Sequence, residues 1–247
     1  MQRHRYLENF LRALGKPLAA FVSRVGELSE FIAKALYNCV TPPFYPKLLL
    51  RQIVDIGFYS LPVVALTTIF AGMVIALQTH AGFSSYGAES AIASVVLISV
   101  TRELAPAFAG LMVAGRIDAL STLSTNPYKY LVAPRLLAGV IVLPLLVLVG
   151  DVIGIFGGYI VAVYQLDFNP ANYINATVNE LQPIDVYTGV IKAAVFGFVI
   201  ALMGCYNGYK SKGGAQGVGE ATTNAVVASS IIILIFNYII TGLIFTK

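Results

Sequence analysis

Ala91-IASVVLISVTRELAPAFAGLMVA-Gly115 is the stretch whose reading decides the fold. Its apolar residues run on both sides of one adjacent ionisable pair, Arg102 and Glu103. A helix that crosses a bilayer needs ~20 residues at about 1.5 Å each, and this segment supplies them. Charges at that depth are costly. They face a bundle interior or a water-filled cavity and mark a transport pathway or relay, or else they form a neutralised pair that pins helix packing. Neighbours in a helix point about 100° apart. Arg102 and Glu103 are therefore not expected to share a face or to pair with each other; each is expected at a cavity or a subunit seam.

Composition extends this reading to the whole chain. Of 247 residues, 57% are hydrophobic and 11% charged, with a mean hydropathy of +0.79. A soluble domain carries about 25% charged residues, so an integral membrane protein of all-α class is expected. Cys39 and Cys205 do not make a disulfide scaffold, and Cys205 falls in an apolar span as plain packing. His4 and His80 have no partner at metal-ligand spacing, so no metal site is expected. No basic stretch is interleaved with aromatics, which argues against nucleic acid, and no cleavable signal pattern opens the chain.

Residues 5 to 36 read as an amphipathic helix. Leu7, Phe10, Leu11, Leu14, Leu18, Phe21, Val22, Val25, Leu28, Ile32 and Leu36 follow three-and-four spacing. Arg5, Arg12, Lys16, Arg24 and Lys34 occupy the remainder, and Pro17 is a candidate kink. Such a helix is too polar to span and is expected in the headgroup plane rather than on a soluble partner. Pro42, Pro43 and Pro46 break it. The expected organisation is an interfacial region over residues 1–50 and a membrane-spanning domain over 51–247.

Apolar blocks at Phe58–Thr79, Leu136–Val163, Val186–Tyr206 and Ala221–Phe245 join the Arg102 segment to make about five spans. The first, with Pro62 and Gly72, is either a full span or re-entrant. Gly150, Gly154, Gly157 and Gly158 in the third suit close helix approach in lipid. Asp151 and Lys192 stand alone in spans three and four and read as packing or cavity residues; whether they neutralise each other is left open by spacing.

Lysine and arginine bias sets the orientation. Eight precede the first span: Arg3, Arg5, Arg12, Lys16, Arg24, Lys34, Lys47 and Arg51. Arg116, Lys129 and Arg135 follow span two, and Lys210 and Lys212 precede span five, whereas 80–90 and 164–185 hold none. A cytoplasmic N-terminus and an external C-terminus are expected. The loop 164–185, with Asp167, Glu180 and Asp185, is expected to rim a cavity or cap an external partner; its Asn175-Ala-Thr177 glycosylation match is taken as chance. The pattern GxxxxGK[ST] is absent, so no cofactor or nucleotide is expected on this chain and ATP would be handled by another subunit.

Four places carry a family likeness: Thr101-RELA-Pro106, Asn126-PYKYLVAP-Arg135, Leu143-Pro144, and Asn207-Gly-Tyr209 with Gly217-VGEAT-Thr223. In order and spacing the chain resembles the MlaE/YrbE family of ABC-transporter permeases over essentially its whole length. The resemblance implies a homodimer in a bacterial inner membrane, bound to two cytoplasmic ABC ATPases and completed by a periplasmic ring of MCE-domain proteins. Phospholipid or a related lipid would occupy a cavity between the permeases. On that resemblance Arg102 and Glu103 lie near the cavity, and Arg116, Asp118, Pro127 and Arg135 belong to the region that couples to the ATPases.

The chain departs from that family pattern twice. Relatives carry an additional segment with small and acidic residues between the positions of Arg116 and Ile117, where this chain passes directly from GR to IDAL. Glu220 also stands where relatives commonly have Arg. The first departure leads us to expect a folded, dimeric permease that holds its ATPase weakly.

Other function classes fit less well. A secondary transporter on an ion gradient would show an internal repeat, which five spans do not divide into. A non-transporting scaffold draws its support from the shortened loop. An intramembrane enzyme lacks any Ser/His or paired-Asp arrangement in the spans.

Overall fold

The computed structural model describes residues 2–84, 91–114, 127–212 and 214–245. They form seven helices in which no strand occurs among the described residues. Helix α1 is Gln2–Val40, α2 Pro46–Phe83, α3 Ala91–Ala114, α4 Tyr128–Tyr164, α5 Pro170–Glu180, α6 Pro183–Lys210 and α7 Gly214–Phe245. Five of these, α2, α3, α4, α6 and α7, are long and apolar enough to cross a membrane.

Proline does not break the first of them. Helix α2 runs continuously through Pro62 over 38 residues, so the re-entrant alternative gives way to a full span. Helix α1 likewise continues through Pro17. Proline lacks an N–H but keeps helical φ, so a helix tolerates it in lipid when neighbours satisfy the freed carbonyl.

Backbone contact between helices sets the bundle. In lipid, apolar burial gives helices no reason to prefer each other over hydrocarbon, so small residues that admit close approach do the work. Helices α2 and α4 run parallel: a Cβ placed on Gly72 would stand 1.8 Å from the carbonyl oxygen of Gly154. Helices α4 and α6 run antiparallel through Gly139 and Gly197, where a Cβ on Gly197 would fall 2.1 Å from the Gly139 oxygen. Around these crossings lie Val64, Ala76, Ile92, Val96, Val100, Leu143, Val147, Phe196 and Ile200, all buried.

Helix α1 docks at one end of the bundle. Phe31 and Ala35 are buried against Val132, Leu136 and Leu202. The Phe31 ring lies 5.4 Å from both Tyr128 and Tyr206. Glu27 pairs with Lys210, which holds the Glu27 carboxyl below the usual carboxylate range. Lys129 Nζ donates to the Pro42 carbonyl at 2.7 Å, and Tyr45 stacks on Tyr130 at 4.4 Å, closing the α1–α2 turn onto α4.

At the opposite end, residues 164–185 do not form a plain loop. Asn169 caps α5 by accepting from the backbone N–H of Ala171 and Asn172, with Pro170 at the first turn. Helix α5 folds back along α4: Tyr173 packs on Tyr159, while Ile174, Thr177 and Val178 face Val152, Ile155 and Phe156 across a groove of about 390 Å³. Val152 lies twelve residues before Tyr164, a descent of about 18 Å along the axis. Tyr173 is 5% exposed, and burial pushes its hydroxyl up to about 12.

The crossings yield a direct test. Gly197→Ala should destabilise the detergent-purified protein by ~1–3 kcal/mol of overpacking or more, read as a lowered thermal midpoint, because only backbone could yield. Gly219→Ala in α7, where a Cβ meets nothing within 4 Å, should be neutral or gain up to ~1 kcal/mol of helix propensity. Equal midpoints for the two variants would remove the backbone crossing as the organising contact.

Candidate functional site

Helix α3 is not a regular α-helix throughout. Between Ala91–Ser99 and Ala105–Ala114 it widens into one π-turn, Val100–Leu104, closed by the Ala105 N–H donating to the Val100 carbonyl. Pro106 sits four residues after Arg102 and brings no N–H, so the Arg102 carbonyl loses its α-helical donor. A second π-turn, Tyr128–Val132, opens α4 and also ends two residues before a proline, Pro134. Such turns concentrate at functional sites.

The freed carbonyl has a specific recipient. Lys192 Nζ on α6 donates to the Arg102 carbonyl at 2.7 Å and to Glu103 Oε1 at 2.7 Å. Glu103 is further held from α7, by Asn237 Nδ2 on Oε2 at 2.9 Å and by Thr241 Oγ1 on Oε1 at 3.0 Å. Arg102 turns the other way along α6: its Nε donates to Asp185 Oδ1 at 2.5 Å, and its guanidinium lies 4.2 Å from the Phe245 ring centroid. Asp185 is also the third residue of α6 and accepts from the Gln182 N–H at 3.1 Å, completing a capping box.

Two opposed ion pairs thus tie α3 to α6, with α7 closing over them. Lys192 and Asp185 are sealed, at 0% and 1% side-chain exposure, whereas Arg102 and Glu103 keep 22% and 37%. A buried charge with no partner costs several kcal/mol; here each of the four has one. A separate groove of about 510 Å³ lies between α2 and α3, lined by Leu66, Phe70, Val74, Leu104, Phe108 and Met112 and by no member of the ion pairs.

Arg102 and Glu103 do not pair with each other, and both reach α6. Lys192 takes Glu103 rather than Asp151, whose buried Oδ1 has no hydrogen-bond partner. Asp185 belongs to α6 and not to the preceding connection, contrary to its reading as a loop acid. It, Asn237, Thr241 and Phe245 are site residues that spacing alone misses. The signals were Pro106, which frees a carbonyl, and the Gln182-Pro-Ile-Asp185 helix start. Arg116 and Asp118 lie outside the described residues. Pro127 leads into the second π-turn, and Arg135 is buried at 6% exposure near the start of α4. No cluster of His, Cys, Asp and Glu that could hold a metal occurs among the described residues.

With the site defined, its relatives can be compared. The family profile described as Permease MlaE matches residues 49–117 and 116–243. A protein of Rickettsia felis described as a probable ABC transporter permease protein is 52% identical over 97% of this chain and 99% of its own. A probable ABC transporter permease protein of Synechocystis is 37% identical over 79% of this chain and 81% of its own. The intermembrane phospholipid transport system permease protein MlaE of Haemophilus influenzae is 29% identical over 96% and 98%. The R. felis alignment runs over 256 positions, more than the 247 residues present here, so that relative holds positions without a counterpart in this chain. The profile match is broken at 116–117, where the sequence passes from Arg116 to Ile117. From the profile and the relatives together, the chain belongs to the MlaE permease family.

Proposed function

We propose that this chain is the membrane subunit of an ATP-driven transporter that moves phospholipid or a related lipid between envelope membranes. The observation that carries the reading is the two opposed ion pairs within the membrane bundle, in which Arg102 and Glu103 stay partly open. A polar headgroup suits Arg102 and Glu103, and the apolar groove between α2 and α3 suits hydrocarbon. The Haemophilus relative, named as a permease of an intermembrane phospholipid transport system, supports the substrate class.

The working unit in this reading is a homodimer in a bacterial inner membrane, its N-terminus cytoplasmic and C-terminus periplasmic. A cytoplasmic ABC ATPase supplies the energy and a periplasmic MCE-domain protein receives or delivers the lipid. The exposed faces of α2 and α7, including Phe70, Val74, Leu234, Tyr238 and Leu243, are free to meet lipid or the second copy. Arg116, Asp118 and Pro127 serve the cytoplasmic coupling region, with Arg135 acting on it from inside the bundle.

Reconstitution in vesicles with the ATPase tests the site. The variant Glu103→Gln removes the carboxylate charge but keeps an oxygen for Lys192, which still donates to the Arg102 carbonyl. It should remain monodisperse while lipid transfer falls by roughly tenfold, the loss expected for one charge-assisted contact. Transfer at the wild-type rate would reduce the cluster to packing.

Two further outcomes separate the mechanism from its rivals. The isolated chain should neither bind nor hydrolyse ATP, and transfer should stop without the ATPase. Transfer by this chain alone, driven by a proton gradient, would favour the secondary transporter. In a cysteine-free background, a cysteine at the exposed Asn172 should react with an impermeant maleimide on intact cells, whereas one at Ser124 should not. Labelling at Ser124 would reverse the orientation.

A further inference from the structure

Asp151 on α4 takes no part in either ion pair. It is 6% exposed, its Oδ1 has no hydrogen-bond partner, and no cation bridges to it among the described residues. A carboxylate taken out of water needs a cation or several donors to stay ionised. Asp151 has neither.

The helix registers show what stands around it. Helices α4 and α6 run antiparallel, with Gly139 on Gly197 and Val147 on Gly189, and the same count sets Asp151 level with Asp185. Helix α5 runs antiparallel to α4 with Tyr173 on Tyr159, which sets Glu180 level with Val152, the next residue. On α3, Val100 meets Gly154 and Ala105 meets Gly150, so Arg102 and Glu103 fall at this height too. On α2, Thr68 meets Gly150 and Gly154, and residues 56–79 hold no acid, lysine, arginine or histidine.

The cations of this region are already engaged. Arg102 gives its Nε to Asp185, and Lys192 gives its Nζ to Glu103 and to the Arg102 carbonyl. Of the two connections outside the described residues, 85–90 holds no cation and 115–126 holds Arg116 alone. Helix α3 runs ten residues past Leu104 to Ala114, about 15 Å, before that second connection begins. Helix α7, which precedes Lys247, packs on α3 and α6. Asp151 thus shares its level with two further carboxyls, Glu180 and Asp185, and with a guanidinium that one of them holds. Like charges nearby add to the cost of ionising it. No cluster of His, Cys, Asp and Glu that could hold a metal in its place occurs among the described residues.

We propose that Asp151 is a proton-binding site inside the bundle. Its carboxyl is carried as the neutral acid, and release of that proton to water leaves a second carboxylate to compete with Asp185 for the Arg102 guanidinium. The proposal rests neither on lipid nor on ATP, and its test uses the permease alone.

Infrared spectroscopy of the detergent-purified protein at neutral pH reads the proton directly. The wild type should show a carboxylic-acid C=O band that Asp151→Asn lacks, and the band should fade as the pH is raised. The asparagine keeps the shape of the neutral acid, so the variant should fold. Dicyclohexylcarbodiimide adds to carboxyls that hold a proton in apolar surroundings. It should label Asp151 in preference to the ion-paired Asp185 and Glu103, with labelling falling roughly tenfold for each pH unit above the point of ionisation. A band difference without an adduct upholds the proposal, because the side chain is closed to the reagent. Identical acid bands in wild type and Asp151→Asn would mean an ionised Asp151 and overturn it. So would adducts on Asp185 or Glu103 at the same yield, or a band that Na⁺ abolishes, which would make the site one for a metal cation.

Discussion

The contact on which the rest of the membrane bundle depends is Lys192 donating to the backbone carbonyl of Arg102. A proline four residues on leaves that carbonyl without its helical donor, and an ammonium from the neighbouring helix fills the gap. The arrangement solves two problems together. A carbonyl left open in hydrocarbon costs several kcal/mol, and so does a lysine at that depth. Each becomes the other's partner, and Glu103 supplies the countercharge. The widening of α3 into a π-turn accompanies that exchange.

Everything around the site is arranged by close backbone approach rather than by bulky packing. Gly72 against Gly154 and Gly139 against Gly197 bring α2, α4 and α6 into contact, and the α6 face carrying Asp185 and Lys192 is thereby held against α3. Helix α7 contributes less burial but two of Glu103's hydrogen bonds, through Asn237 and Thr241. It is a lid with specific polar contacts over an otherwise lipid-facing surface.

Much of this was legible in the sequence, because bilayer thickness fixes helix length and hydropathy marks each span. The five spans and the helical first segment followed from those constraints, which also singled out Arg102 and Glu103 as buried-depth charges in need of partners. The partners did not. Which charges meet depends on which helices are neighbours and in what register, and hydropathy is blind to both. Whether Asp151 and Lys192 meet could not be decided from spacing, and the structure gives Lys192 to Glu103 instead. Asp185 looked like a loop residue because a helix that starts within the bundle gives no apolar signal at its capped end. Helix α5 escaped for a related reason: eleven residues, polar on one side, read as a connection until α4 is there to receive them.

The polarity of the two ion pairs has a mechanical consequence. Along α6 an acid is followed two turns later by a base, while on α3 a base is followed at once by an acid. The pattern works as a keyed ratchet. Sliding α6 by those two turns would bring Lys192 opposite Arg102, cation against cation in a medium of low dielectric. Translation of one helix past the other is therefore opposed by charge at every step of those two turns. The charges fix the register of α6 on α3 as firmly as the glycine crossings fix their distance.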